Sequence, residues 1–375
     1  MTAKNIPLFL FLCSMVGLFC LPVFSEEPQQ KKLAVIPFDT PDPTAIESPD
    51  GNGVYVFSTA KGITITNSRN LFDWERVGRV FANDIPDWAK ERIPNAKAIW
   101  APDIVFVNGK YYLYYSVSTW GSQRSVIGLA VNKTLNHNSP DYFWDDYGIV
   151  LESAPQETPD YNAIDPAMFL DDNGKTYLFW GSFWDGIKAV EINPQTGKPF
   201  KYRKYNNNNN SNNYNDNLKI PDDYVSVARR ESADDTSIEA AYVVKRGEFY
   251  YLFTSRGGCC DGEKSTYHLV AGRAKSPLGP YVDRNGKPMI RGGGTIVLSS
   301  TERWKGTGHN GFFQTVTNKN KTKNDWLILA AYDANDPKKG RLTQIRPVTW
   351  DDSGWFTIGN VLDQPLENKP SEKKE

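Results

Sequence analysis

Asp42, Asp165 and Glu239 are carboxylates that sit at or beside the start of an apolar run: Asp42-Pro43-Thr44-Ala45-Ile46, Asp165-Pro166-Ala167-Met168-Phe169-Leu170 and Ile238-Glu239-Ala240-Ala241-Tyr242. His309, one of three histidines, holds the same place before Asn310-Gly311-Phe312-Phe313. Two carboxyl groups brought to one bond can do acid–base work, one protonating a leaving oxygen while the other activates water or attacks directly. A third carboxylate beside them would raise the acid's pKa and hold it in place, because like charge disfavours ionisation. Each residue alone also has a structural reading. Asp-Pro is a common turn or cap pair, and a lone histidine is as readily a satisfied core residue as a ligand for a metal or ordered waters. Glu239 resists that reading, since an unpaired carboxylate in an apolar setting is costly.

These residues lie far apart in the chain, so the elements that carry them must repeat. Each opens a unit of the same form: an apolar strand, a Gly-bearing turn such as Asp50-Gly51-Asn52-Gly53, Asn108-Gly109 or Asp172-Asn173-Gly174, then an aromatic strand such as Tyr111-Tyr112-Leu113-Tyr114-Tyr115. Asp42, Asp103 and Asp165 follow one another at roughly 61 and 62 residues, the near-constant period of an array. Asp165 to Glu239 is longer because residues 206–217 are an Asn-rich run, read as a solvated loop insertion of about twelve residues. Five units of about four short strands cannot each bury both faces alone, but stacked radially they can. The fold class expected is all-β, a five-bladed β-propeller over 33–366, with Leu33-Ala34-Val35-Ile36 adding a strand to the last blade. Innermost strands run along a propeller's channel, so Asp42, Asp165, Glu239 and His309 would share one pocket at its mouth.

The flanks set the compartment. Lys4, a short apolar run broken by Pro7 and Pro22, and Val23-Phe24-Ser25 before Glu26 describe a signal peptide over 1–25, with a membrane anchor as the rival reading. The mature chain is read as secreted or periplasmic, without stable membrane insertion, and monomeric, and 367–375 as a disordered tail. A formal net charge of −1 gives no electrostatic case for nucleic acid. After the signal only Cys259-Cys260 remain, either a vicinal disulfide or two thiols, so the fold must stand on its core. No phosphate loop, paired CxxC or HExxH is present, and no organic cofactor is expected.

Asp42-Pro43, Ile99-Trp100-Ala101-Pro102-Asp103-Ile104, Tyr161-Asn162-Ala163-Ile164-Asp165-Pro166, Gly181-Ser182-Phe183-Trp184-Asp185-Gly186-Ile187, Ser237-Ile238-Glu239-Ala240, Cys259-Cys260-Asp261-Gly262 with Ser265-Thr266-Tyr267, Gly292-Gly293-Gly294-Thr295 and Gly308-His309-Asn310 together resemble glycoside hydrolase family 43, in particular its endo-1,5-α-L-arabinanases. The resemblance covers nearly the whole mature chain in order. It implies an inverting hydrolase acting on arabinan or arabino-oligosaccharide, with Asp42 as general base, Glu239 as general acid and Asp165 as the carboxylate that tunes and orients the acid. It also implies calcium or another ion at the propeller centre, held through His309 and waters. Trp100 and Phe183 are candidates for stacking on sugar, or else for blade packing, and Asn162 and Ser182 for hydrogen bonds to it. Three departures bear on this. Pro41 stands where a histidine is usual, leaving Asp39 as a weaker rival for the base; Thr307 replaces a common proline; and Ala331 precedes Tyr332-Asp333 where a histidine-bearing stretch is frequent. The alternatives are an exo-acting α-L-arabinofuranosidase or β-xylosidase of the same family, or a non-catalytic sugar-binding propeller. Inversion would place the Asp42 and Glu239 carboxyls about 6.5 to 9.5 Å apart, and retention near 5 Å.

Overall fold

Period-2 alternation in the second strand of each repeat sends side chains to both faces of its sheet, and both faces are buried. Tyr111, Leu113 and Tyr115 pack one way, with Tyr55, Phe57 and Ile65. Tyr112 and Tyr114, between them in sequence, pack the other way, with Met168, Leu178 and Trp180. The same division recurs around the molecule: Phe169 and Phe179 meet Val243 and Leu252, Tyr251 and Phe253 meet Leu327 and Leu329, and Ile328 and Ile345 meet Ala45 and Val56. Five apolar cores therefore lie between five sheets, the fifth joining the last sheet to the first. Such closure leaves no sheet face exposed and few free edges.

The computed structural model describes residues 31–158, 160–203, 218–317 and 322–365. The expected signal peptide, the Asn-rich insertion and the C-terminal tail lie outside the described residues. Leu33–Asp363 forms one compact unit. Blade I is Thr44–Glu47, Val54–Ser58, Thr64–Ser68 and Glu75–Arg79, and blade II is Trp100–Val107, Lys110–Val117, Ser125–Asn132 and Asp145–Ser153, each an antiparallel meander from the channel outward. Blade III is Ala167–Leu170, Thr176–Trp180 and Ile187–Asn193, the last pairing with both Lys198–Pro199 and Val225–Ala228. Blade IV is Ile238–Arg246, Phe249–Arg256, His268–Ala274 and Thr295–Leu298. Blade V takes Trp304–Thr317, Thr322–Asp333 and Arg341–Trp350 from the end of the chain and Val35–Asp39 from its beginning, so the two ends of the unit meet in one sheet. Phe356–Ile358 also pairs with Arg341–Trp350.

One device is common to the heads of the five innermost strands. Asp42, Ala101, Asp165, Ala240 and His309 all have left-handed backbones, with φ of 51°, 42°, 56°, 54° and 53°. A non-glycine residue held there costs on the order of 1–3 kcal/mol. In blades II, IV and V the ladder slips at this point, between Trp100 and Asp103, Glu239 and Tyr242, and Gly308 and Gly311. Such bulges re-aim side chains. The period read from sequence aligned Asp103 with Asp42 and Asp165, whereas the equivalent residue in blade II is Ala101. Asp103 lies deeper in the strand and links three blades there: its Oδ1 accepts from Thr44 Oγ1 at 2.9 Å and its Oδ2 from the Met168 amide at 2.7 Å. Burial pushes its pKa to about 7 against those hydrogen bonds.

Candidate active site

An amide at a left-handed residue leaves the strand ladder and needs another acceptor. The preceding blade supplies it. The Ala101 amide donates to Thr59 Oγ1 at 2.8 Å, Asp165 to Ser116 Oγ at 3.0 Å, and His309 to Ser255 Oγ at 2.8 Å. At Ala240 the acceptor is Asp165 Oδ2, at 3.1 Å. Asp165 thus binds the backbone immediately after Glu239 and couples blade III to blade IV.

Asp42 is surrounded by donors. Its Oδ1 accepts from Arg341 Nη1 at 2.7 Å and lies 3.3 Å from His309 Nδ1, while its Oδ2 accepts from Thr59 Oγ1 at 2.7 Å. Burial pushes the Asp42 pKa up, but Arg341, then His309, then Thr59 outweigh it and leave the carboxyl below its ordinary value. Asp42 is therefore a carboxylate at neutral pH. Asp39, its rival, is exposed and commits Oδ1 to the Arg341 amide at 2.8 Å.

Glu239 is held by neutral donors, Ser182 Oγ to Oε2 and Tyr267 Oη to Oε1, each at 2.7 Å. Its pKa is raised, first by burial and further by Asp42, against the opposing pull of those two hydrogen bonds. Asp165 is raised well above the ordinary value, first by burial, then by Glu239 and Asp42. Asp165 and Glu239 form a pair too close and too dry to ionise together easily, so protons stay with the pair to higher pH than with either carboxyl alone.

His309 is largely enclosed, and desolvation lowers its pKa to about 4 despite Asp42, so the ring is neutral at neutral pH. A neutral imidazole that donates Nδ1–H to Asp42 leaves Nε2 as a free donor atom for an ion. Among the described residues no three His, Cys, Asp or Glu side chains cluster to hold a metal. The residues present therefore fit a largely hydrated ion on one imidazole, and not a metal caged by protein.

Of the residues expected to touch sugar, Phe183 is 39% exposed beside the site, with its amide on Ile238 O at 2.9 Å. Trp100 is half-buried at the bulge of blade II. Ser182 is buried against Glu239. Asn162 is 4% exposed, and its Oδ1 accepts from Ser125 Oγ at 2.6 Å and Ser153 Oγ at 3.5 Å, which places it under the Asp165 loop. Arg341, Tyr267 and Thr59 were not anticipated. Tyr267 lies in a stretch whose pattern was noticed, but nothing local marks Arg341, which reaches the mouth from the third strand of blade V. Its Nε and Nη2 are buried without a hydrogen-bond partner. The loop before Tyr267 carries Cys259 and Cys260 joined as a disulfide.

The chain can be compared with known proteins on this basis. It is 40% identical over 326 residues to the extracellular exo-α-(1→5)-L-arabinofuranosidase ArbA of Cellvibrio japonicus, covering 84% of this chain and 85% of that one. It is 35% identical over 319 residues to the extracellular endo-α-(1→5)-L-arabinanase 1 of Bacillus subtilis, covering 84% and 86%. The solved structure of Cellvibrio cellulosa α-L-arabinanase complexed with arabinohexaose superposes with a TM-score of 0.74 at 38% identity, covering 86% of this chain and 96% of that chain. Glycosyl hydrolases family 43 is matched over residues 32–356, and with five blades converging on Asp42, Asp165 and Glu239 the chain belongs to that family.

Proposed function

We propose that this glycoside hydrolase cleaves internal α-1,5-L-arabinofuranosidic bonds of arabinan by a single displacement that inverts the anomeric centre. The observation that carries the reading is the opposition of pKa shifts at one channel mouth: Asp42 held low beside Arg341 and other donors, Glu239 and Asp165 pushed up by burial and by neighbouring carboxylates. Asp42 takes the proton of the attacking water while Glu239 gives its proton to the departing glycosidic oxygen. Asp165 fixes the backbone beside Glu239 through Ala240, and burial and Asp42 raise the Glu239 pKa. Arg341 holds the Asp42 pKa down. Phe183 and Trp100 offer faces for arabinose rings, and Ser182 and Asn162 shape the site beneath them.

An ion such as calcium on His309 and waters would supply fixed positive charge at the channel floor. His309 itself holds Asp42 at Nδ1 and is kept neutral for that purpose. A secreted or periplasmic location fits the relatives named extracellular, and no helix of the described residues is long and apolar enough to cross a membrane. Three carboxylates in one mouth speak against a mere sugar-binding propeller, which has no need of them.

The exo reading has two specific supports, the exo name of the relative at 40% identity and that of a solved exo-1,5-α-L-arabinanase structure at 34% identity and a TM-score of 0.74. Linear arabinan separates the two. Endo action gives a ladder of oligomers early in the reaction, and exo action gives one short product throughout. Glu239→Ala is expected to remain folded by circular dichroism and to lose release of arabino-oligosaccharides; undiminished release would overturn the assignment.

A further inference from the structure

Ser182 can donate to Glu239 only if the loop that carries it is held still. Loop 181–187 is tied at three backbone points: Gly181 N to Ile164 O at 2.9 Å, Phe183 N to Ile238 O at 2.9 Å, and Asp185 N to Asp160 O at 3.3 Å. Two of these reach loop 160–165, which ends in Asp165, and the third reaches the residue before Glu239. Beneath the junction lies Lys188, at the start of Ile187–Asn193 and with no exposed surface. Its Nζ lies 3.0 Å from Asp185 Oδ2, 3.4 Å from Asp160 Oδ2, 3.2 Å from Asp185 O and 2.7 Å from Ser226 Oγ.

We propose that Lys188 is a positioning residue for the general acid: by neutralising Asp160 and Asp185 together it locks loop 181–187 to loop 160–165 and keeps Ser182 on Glu239. The inference rests on the reading of Glu239 as the acid. A buried ammonium is costly unless paired and hydrogen-bonded, and here every acceptor belongs to one of the two loops or to the strand beside them. Arg229 and Tyr224 complete the arrangement, Arg229 Nη1 on Asp185 Oδ1 at 2.9 Å and Tyr224 Oη on Asp160 Oδ2 at 3.0 Å. Without Lys188 the two carboxylates face each other with one lateral cation between them, and repulsion opens the junction that seats Ser182.

The effect can be read on Glu239. The groups that face it are Ser182 and Tyr267 by hydrogen bond and Asp42, Asp165 and Arg341 by charge, and a change at Lys188 removes none of them. Losing the Ser182 bond removes a stabiliser of the carboxylate form, so the basic limb of the kcat/KM profile on arabinan moves to higher pH.

Lys188→Met, which keeps the volume and removes the charge, is expected to raise that limb by about half a pH unit or more. In a Ser182→Ala background, which shifts the limb by itself, Lys188→Met is expected to add nothing. A folded Lys188→Met enzyme with an unmoved limb overturns the proposal, as does an equal shift with and without Ser182. Should Lys188→Met not fold, Asp185→Asn carries the test, with the same direction expected and an unmoved limb decisive against. Glu239→Gln is assayed alongside. If it still cleaves arabinan, the acid reading itself fails; if it is inactive while the limb stays put in Lys188→Met, only the positioning role fails.

Discussion

The Asp42 side and the Glu239 side of the channel mouth are built on the same backbone device and end in opposite states. Both begin at a left-handed residue at the head of an innermost strand, and both bury a carboxyl. Around Asp42 the neighbours are a guanidinium, an imidazole and a hydroxyl. Around Glu239 they are two hydroxyls and a second carboxyl held through Ala240. Burial alone pushes both pKa values up, so the division of labour is set by what the adjoining blade and the nearby loops bring: Arg341 and His309 of blade V with Thr59 at Asp42, and Ser182 and Asp165 from the blade III side with Tyr267 at Glu239. The fivefold repeat supplies position, and the side chains gathered around each head supply protonation state.

The most severe way to break this comparison is to remove the charged half. Asp42→Asn keeps the shape and retains hydrogen-bonding capacity toward Thr59, but cannot accept a proton from water. Turnover of arabinan is expected to fall by roughly 10³-fold or more, and the thermal midpoint to fall with it, because buried Arg341 loses its counter-charge. A drop under about tenfold in steady-state kcat would return the base to some other group.

The same division explains how much could be read from the chain. The repeat was legible because apolar alternation, Gly turns and polar openers recur at a fixed period, and the five cores between blades follow from that alternation. The three carboxylates and His309 were legible for the same reason, as residues in phase at strand heads. What escaped was what the bulges and outer strands contribute. Asp103 looked like an opener because the extra residue of a bulge hides in a period of about sixty. Arg341 begins a third strand, beside Gly340 whose φ of 79° lets the backbone pass against Asp39. Lys188 sits inside a strand that reads as alternating and ordinary. Asn162 is a candidate sugar contact only through the resemblance, and nothing in its local sequence announces that its Oδ1 accepts from Ser125 and Ser153.

Converting one half toward the other is the next largest effect. Arg341→Met takes the main cation from Asp42, and with burial unopposed the Asp42 pKa rises. The acidic limb of the kcat/KM profile should move up by about one to two pH units, and the basic limb upward by less, because Arg341 is a weaker influence on Glu239 than on Asp42. Stability changes sign with it. In the native protein the depressed Asp42 contributes stability that is present above the ordinary carboxylate pKa and lost as pH falls through its own lower value. In Arg341→Met the raised group favours the fold at low pH and loses that contribution as pH rises. Thermal midpoints would show the Asp42 contribution of the native protein rising with pH only below the ordinary carboxylate value and level above it, whereas the variant would lose stability as pH rises from the ordinary carboxylate value through its raised one. An acidic limb that stays put would mean that Arg341 does not govern Asp42.

The finest test touches the other half and leaves Asp42 alone. Tyr267 packs tightly enough against the fifth inner strand that a Cβ on Gly308 would enter its ring, and the Arg341 guanidinium lies 5.8 Å from the ring centroid. Tyr267→Phe therefore keeps the packing and the cation over the ring, and removes one hydroxyl from Glu239 Oε1. That hydroxyl stabilises the carboxylate form, so its loss raises the Glu239 pKa further. A general acid with a higher pKa stays protonated to higher pH. The basic limb is expected to move up by about half a unit to one unit, and the rate below neutrality to fall by less than about tenfold. The acidic limb is expected not to move, because Asp42 loses nothing. If Tyr267→Phe shifts the acidic limb instead, the two halves are one coupled network, and the separate assignment of base and acid to them fails.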